Sequence, residues 1–182
     1  MPNYRRYHIP GACYFFTINL QDRNQSLLVN QIDLLRESVK IVKQKHPFHI
    51  DAWVVLPDHM HCIWTLPPDD SDFSKRWKAI KTHFSKQIPV TEWRSKVRIK
   101  RSERGIWQRR FWEHAIRDDN DYAAHINYIH FNPVKHGWVD QVVDWPYSTF
   151  HRFVENGLVT SDWAGGAEID MDIGIGERRE LL

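Results

Sequence analysis

The chain has 182 residues, of which 42% are hydrophobic, and its formal net charge is +2. That supports one well-packed domain and excludes a chain disordered throughout. Two cysteines, Cys13 and Cys62, are too few for a disulfide framework, and no apolar run nears the roughly 20 residues of a membrane span, so the sequence reads as that of a cytoplasmic protein.

In chain order, Cys13 to Leu20 (CYFFTINL) predicts a strand rich in aromatic and β-branched residues. Gln31 to Lys45 places Ile32, Leu35, Val39 and Val42 near helical spacing. His49 to Leu56 predicts a second strand, and Pro57-Asp58 a tight turn into its hairpin partner, His59 to Leu66. From Asp72 to Gln87, the residues Phe73, Trp77, Ile80 and Phe84 form one helical stripe. Pro89 to Gly105 is polar and poorly periodic, and reads as a mobile loop or a short extra element. Ile106 to Ile116 predicts a strand. Asp118-Asp119-Asn120 offers an N-cap for a helix that should stop at Asn132-Pro133, because a residue before proline is pushed out of the helical region.

This β-α-β-β-α-β-α order predicts an α+β fold whose first six elements form a ferredoxin-like split-βαβ sheet, followed by a C-terminal helix. The domain should cover residues 1–163. Residues 164–182, glycine-containing and acidic, read as a flexible tail.

Charge is uneven along the chain. Thirteen Lys and Arg lie between Lys75 and Arg110 against Glu92 and Glu103, which suggests a polyanion-binding middle. Lys75, Arg76, Lys78, Lys81, Arg109 and Arg110 are the candidate phosphate contacts, with Arg5 and Arg6 in an N-terminal arm. Trp93, Trp107 and Trp112 could stack on bases or belong to the core. From Asp140 onward acids dominate, and the tail after Asp162 is expected to compete with DNA for the basic groove.

Strand alternation puts His59 and His61 on one face, half of a metal site, and Cys62 on the other. Two ordinary surface histidines are the plain alternative. No CxxC pair supports a structural zinc centre. On the following helix, Tyr128 and Asn132 are four apart and share a face, whereas Tyr122 lies on another. A phenol with a pKa near 10 attacks poorly while protonated, and a neighbouring metal ion changes that. An amide oxygen such as that of Asn132 suits a third position on a hard cation. Read alone, Tyr128 could equally be a core tyrosine. His114 and His125 could support the site or simply be satisfied core histidines.

Longer motifs then weigh in. LPDHMHCIW carries the His-hydrophobic-His signature of HUH nucleases, and YIHFNPVKHGW (Tyr128 to Trp138) resembles the catalytic helix of single-tyrosine transposases. With YRRY, FFTINL, IWQRRFWEHAIRDDNDY and DWPYSTFHRFVENGL in order, the chain resembles the REP-associated tyrosine transposases. The resemblance implies that Tyr128 is the nucleophile, that His59, His61 and Asn132 hold magnesium or manganese, and that the substrate is single-stranded DNA folded into REP hairpins. It also implies a monomer using its own helix. Residues 85–104 and the end beyond Gly166 look longer than the family pattern. A hairpin-binding protein without turnover is the alternative function, and a structural zinc protein a weaker one.

Overall fold

The computed structural model describes residues 7–165. The expectations for Arg5, Arg6 and the tail beyond Gly165 lie outside the described residues. No described helix is long and apolar enough to cross a membrane.

Four strands, β1 (Cys13–Asn19), β2 (His49–Val55), β3 (His59–Thr65) and β4 (Trp112–Ala115), form one antiparallel sheet in the order β2-β3-β1-β4. Helix α1 (Leu27–Asn30) is a single turn, followed by α2 (Ile32–Lys45). Helices α3 (Phe73–Gln87), α4 (Lys96–Lys100), α5 (Asp119–Lys135) and α6 (Phe150–Glu155) complete the α+β fold, with a short 3-10 turn at Val142–Asp144. This is the ferredoxin-like strand order expected from the sequence.

Alternation along β1 and β3 divides the interior in two. Tyr14, Phe16 and Ile18 join Met60, Cys62 and Trp64 under α2 and α3, and Phe73, Trp77, Ile80 and Phe84 close that core. On the opposite face Phe15, Val54 and Ile63 pack against Ile126, Tyr128 and Ile129 of α5. Cys62 therefore sits in the other core from His59 and His61, as alternation required.

The chain departs from the sequence expectation in two places. The strand predicted from Ile106 to Ile116 is regular only over Trp112–Ala115. Upstream, Trp107 makes one isolated bridge to Leu20 and turns its indole into the core, donating to Ser85 Oγ at 3.1 Å. Helix α5 also runs past Asn132-Pro133 to Lys135. Pro133 sits in the last turn, where its missing N–H removes one helical bond. The ending comes later, with Gly137 at φ +69 and Trp138 N–H donating to the Pro133 carbonyl at 3.0 Å.

Residues 89–105 take the second of the two forms expected, a short extra element built on α4 and closed by Arg104. Its guanidinium donates to the carbonyls of Ser85 (2.6 Å), Ile88 (3.0 Å) and Pro89 (3.0 Å), and bidentately to the Glu92 carboxylate. A Cβ on Gly105 would come within 2.9 Å of the Trp93 carbonyl oxygen, so the closure needs glycine. The hydrogen bonds from Arg104 hold the Glu92 carboxyl down at about 2. A depressed carboxyl stabilises above its ordinary value of 4.5, and the contribution is lost as pH falls towards 2. Glu92→Gln should therefore raise tryptic cleavage between Arg94 and Arg101 at neutral pH by about tenfold, from the loss of one charge-assisted pair. Cleavage at the wild-type rate would show that the pair does not hold the segment.

Candidate active site

The turn that launches β3 builds the first half of the site. Leu56 N–H donates to the His59 carbonyl at 2.8 Å, closing the Pro57-Asp58 turn. The register then sets Asn19 opposite His59 and Thr17 opposite His61 on the α5 face. His61 Nδ1 lies 2.9 Å from Thr17 Oγ1. His59 Nδ1 lies 2.7 Å from Asp58 Oδ1, where the ionised carboxylate accepts and the ring N–H donates. Arg23 grips the same carboxylate and donates to Asn19 Oδ1 at 2.5 Å. Burial pushes the Asp58 carboxyl up, but hydrogen bonds from His59 and Arg23 outweigh it and leave the group below its usual range. Burial also holds the His59 imidazolium form off, despite Asp58 beside it. The two rings are 5.0 Å apart, centroid to centroid.

Helix α5 supplies the other half. Asp118 caps it, accepting from Asp121 N–H at 2.9 Å. The Tyr128 ring meets His61 at 5.3 Å, and the His136 ring meets His59 at 5.2 Å. Asn132 lies four residues from each, on the same helical stripe, and so midway along the line facing the histidine pair. It is fully buried, and neither its amide oxygen nor its amide nitrogen has a hydrogen-bond partner. An unpartnered buried amide destabilises by about 1–3 kcal/mol. A cation bound to its oxygen would offset that, so the residues present fit a metal ion.

Sequence reading missed several participants. Asp58 read only as a turn residue, and Arg23 and Thr17 carried no signal without the register. Lys135 lies beyond the point where the helix was expected to stop, yet its Nζ donates to Tyr128 Oη at 3.0 Å. Tyr122 points elsewhere, donating to Asp51 Oδ1 at 3.3 Å.

His114 and His125 do not present themselves to a phosphate. Asp121 holds both: its carboxylate accepts from His114 Nε2 at 2.8 Å and its backbone carbonyl from His125 Nδ1 at 2.7 Å, with the rings stacked at 4.9 Å. Burial raises the Asp121 carboxyl, but Arg117 and His114 together hold it well below the usual carboxylate range. The group fastens β4 to the start of α5.

The basic residues divide. Lys75, Lys78 and Arg110 are exposed, and Arg109, also exposed, pairs with Glu103 at 2.8 Å. Lys81 Nζ donates to the Gln108 carbonyl at 3.1 Å above the Trp107 and Phe111 rings. It lines a cleft of about 580 Å³ with Lys78, Lys86, Arg101 and Arg109. The expectation for Arg76 is corrected. Its side chain is 2% exposed and donates to Asp70 and to the carbonyls of His46, Pro47 and Asp72. A guanidinium so enclosed has no face for DNA. Of the three tryptophans, Trp107 is core, Trp112 is half-buried against His114, and Trp93 is 84% exposed.

Residues 11–132 match the family described as Transposase IS200 like. The chain is 52% identical to the REP-associated tyrosine transposase of Escherichia coli (strain K12) over 178 residues, covering 98% of each. The chain belongs to the IS200-like transposase family, in its REP-associated tyrosine branch. This transposase is also 48% identical to a Haemophilus influenzae protein assigned provisionally to the same class, over 93% of this chain and 97% of that one. A solved structure of a REP-associated tyrosine transposase bound to a REP hairpin covers 98% of both chains, with 52% identity and a TM-score of 0.83. Family membership makes the protein a DNA-processing enzyme. Such complete coverage of both chains also corrects the expectation that residues 85–104 and the C-terminal end are long for the family.

Proposed function

We propose that the protein is a metal-dependent endonuclease and strand transferase for single-stranded DNA that folds into REP-type hairpins, with Tyr128 as its nucleophile. The observation carrying this reading is Tyr128 on α5 and His136 just beyond its end meeting His61 and His59, with Asn132 between them in sequence. The relative solved with a REP hairpin supports the substrate class. Because Asp58 and Thr17 engage the Nδ1 atoms, His59 and His61 would each offer Nε2 to magnesium or manganese, with the Asn132 amide oxygen as third donor. When bound, the cation polarises the scissile phosphate and offsets the negative charge gathering on it.

Tyr128 Oη forms a bond to phosphorus as the bond from phosphorus to the 3′ oxygen breaks. The phenol proton departs and the 3′ oxygen takes one up, giving a 5′-phosphotyrosine and a 3′-hydroxyl. Rejoining reverses these events with an incoming 3′-hydroxyl. One ester replaces another, so no nucleotide cofactor is consumed. Lys75, Lys78, Lys81, Arg109 and Arg110 would follow the phosphate backbone, a salt-sensitive contribution, and Trp93 would stack on a base. We read the active form as a monomer using its own helix, as the likeness to the REP-associated branch suggests.

Incubation with a labelled REP-hairpin oligonucleotide and manganese tests this reading. A covalent protein–DNA adduct should form and should disappear with EDTA, while the melting temperature stays nearly constant. Unfolding on chelation would point to a structural metal. No adduct at any manganese concentration would leave a hairpin-binding protein without turnover.

A further inference from the structure

We infer that Lys135 is a catalytic residue of the tyrosine reaction, stabilising the negative charge that develops on Tyr128 Oη during attack and again when the phenolate leaves. This rests on the reading of Tyr128 as nucleophile. Lys135 Nζ donates to Tyr128 Oη at 3.0 Å and stands 4.6 Å from the ring centroid. The contact exists because α5 continues past Pro133. Seven residues span two helical turns, so Lys135 returns to the side of the helix that carries Tyr128. The phenol is 1% exposed, packed by Phe15 and His61, and Lys135 is half-buried beside it.

In such surroundings a positive charge held at hydrogen-bond distance acts more strongly than it would in water. As the O–P bond forms, the phenol proton leaves Oη and the charge on that oxygen grows before phosphorus takes it up. The ammonium is already placed there. An ammonium carries three N–H donors, so the group that holds the phenol oxygen can also meet a non-bridging phosphate oxygen as it arrives. In the reverse direction the same charge favours departure of the tyrosine oxygen from phosphorus. Lys135 therefore speeds cleavage and rejoining alike. It does not take the phenol proton, because an ammonium offers donors only.

The test is single-turnover adduct formation on a labelled REP hairpin with manganese, with hairpin affinity measured separately by fluorescence anisotropy. Lys135→Met should slow adduct formation by about 100-fold or more and leave affinity little changed. Lys135→Arg should retain most of the rate, and Lys135→Gln should fall close to Lys135→Met. Lys135→Cys should be as slow as Lys135→Met and recover on treatment with 2-bromoethylamine, which rebuilds an ammonium at nearly the original reach. The native thiols resist that reagent: burial pushes Cys13 up to about 11 and Cys62 well above its ordinary value. A role limited to packing would not be rescued by alkylation. A wild-type rate for Lys135→Met, or an alkylated cysteine variant that stays slow, overturns the inference. Tyr128→Phe run in parallel separates the two claims. If it still forms an adduct, the nucleophile lies elsewhere and the role of Lys135 fails with it. If it forms none while Lys135→Met is unimpaired, only the role of Lys135 fails.

Discussion

Tyr128→Phe is expected to form no covalent adduct with a REP-hairpin oligonucleotide, with strand cleavage reduced by at least about 10⁴-fold. The substitution keeps the ring and its packing on His61 and Phe15, and removes only the hydroxyl that Lys135 holds. Loss of that one hydrogen bond should alter stability by about 1 kcal/mol. Hairpin affinity should stay close to wild type, because the phosphate-contacting lysines and arginines proposed above lie elsewhere. The measurement is denaturing electrophoresis of the adduct beside an anisotropy titration. An adduct that persists at the normal rate would exclude Tyr128, and peptide mapping of it would locate the true nucleophile.

Arg76→Ala is expected to lower stability by about 2 kcal/mol, visible as a fall of roughly 6 °C in melting temperature. The guanidinium ties the loop before α3, through Asp70 at 2.7 Å, to the chain entering β2, through the Pro47 carbonyl at 2.7 Å. Its removal leaves the Asp70 carboxylate and the carbonyls of His46, Pro47 and Asp72 without their donor. Affinity for the hairpin, measured below the transition, should change little. Lys78→Ala should do the reverse, weakening binding in a salt-dependent way without moving the melting temperature. An unchanged melting temperature for Arg76→Ala together with lost affinity would return Arg76 to the DNA-contacting set.

These two residues also mark how far the sequence could be read. Features that follow from periodicity were legible. Alternation separated His59 and His61 from Cys62, and helical spacing put Tyr128 and Asn132 on one face and Tyr122 on another. Arg76 was not legible in that way. On the α3 stripe it sits one residue from Trp77, and only the tertiary arrangement of Asp70, His46 and Pro47 draws it inward. Pro133 misled for a related reason. The local preference of Asn132 against helix was overridden by burial of both residues and by the carbonyl bonds that carry α5 to Lys135. With the helix ended early, Lys135 could not be placed beside Tyr128. Asp58, Thr17 and Arg23 depend on strand register and loop contacts, which one sequence does not specify. Asp121 similarly needed the sheet to bring His114 over α5.

His59, His61, Tyr128 and Asn132 are each no more than 2% exposed. For the nucleophile proposed above, such burial would act as a safety catch. Stray single strands touching the surface would then meet no exposed phenol. On that proposal, a phosphodiester would reach the phenol as the chain around it gives way. If the yielding form is about one per cent of molecules, the scissile strand sees an affinity about a hundredfold weaker than the open site offers. A folded stem gripped elsewhere on the protein can supply the missing free energy, and a strand without one cannot. Any selectivity for hairpins would then arise in part from the depth of the site, before any base is read.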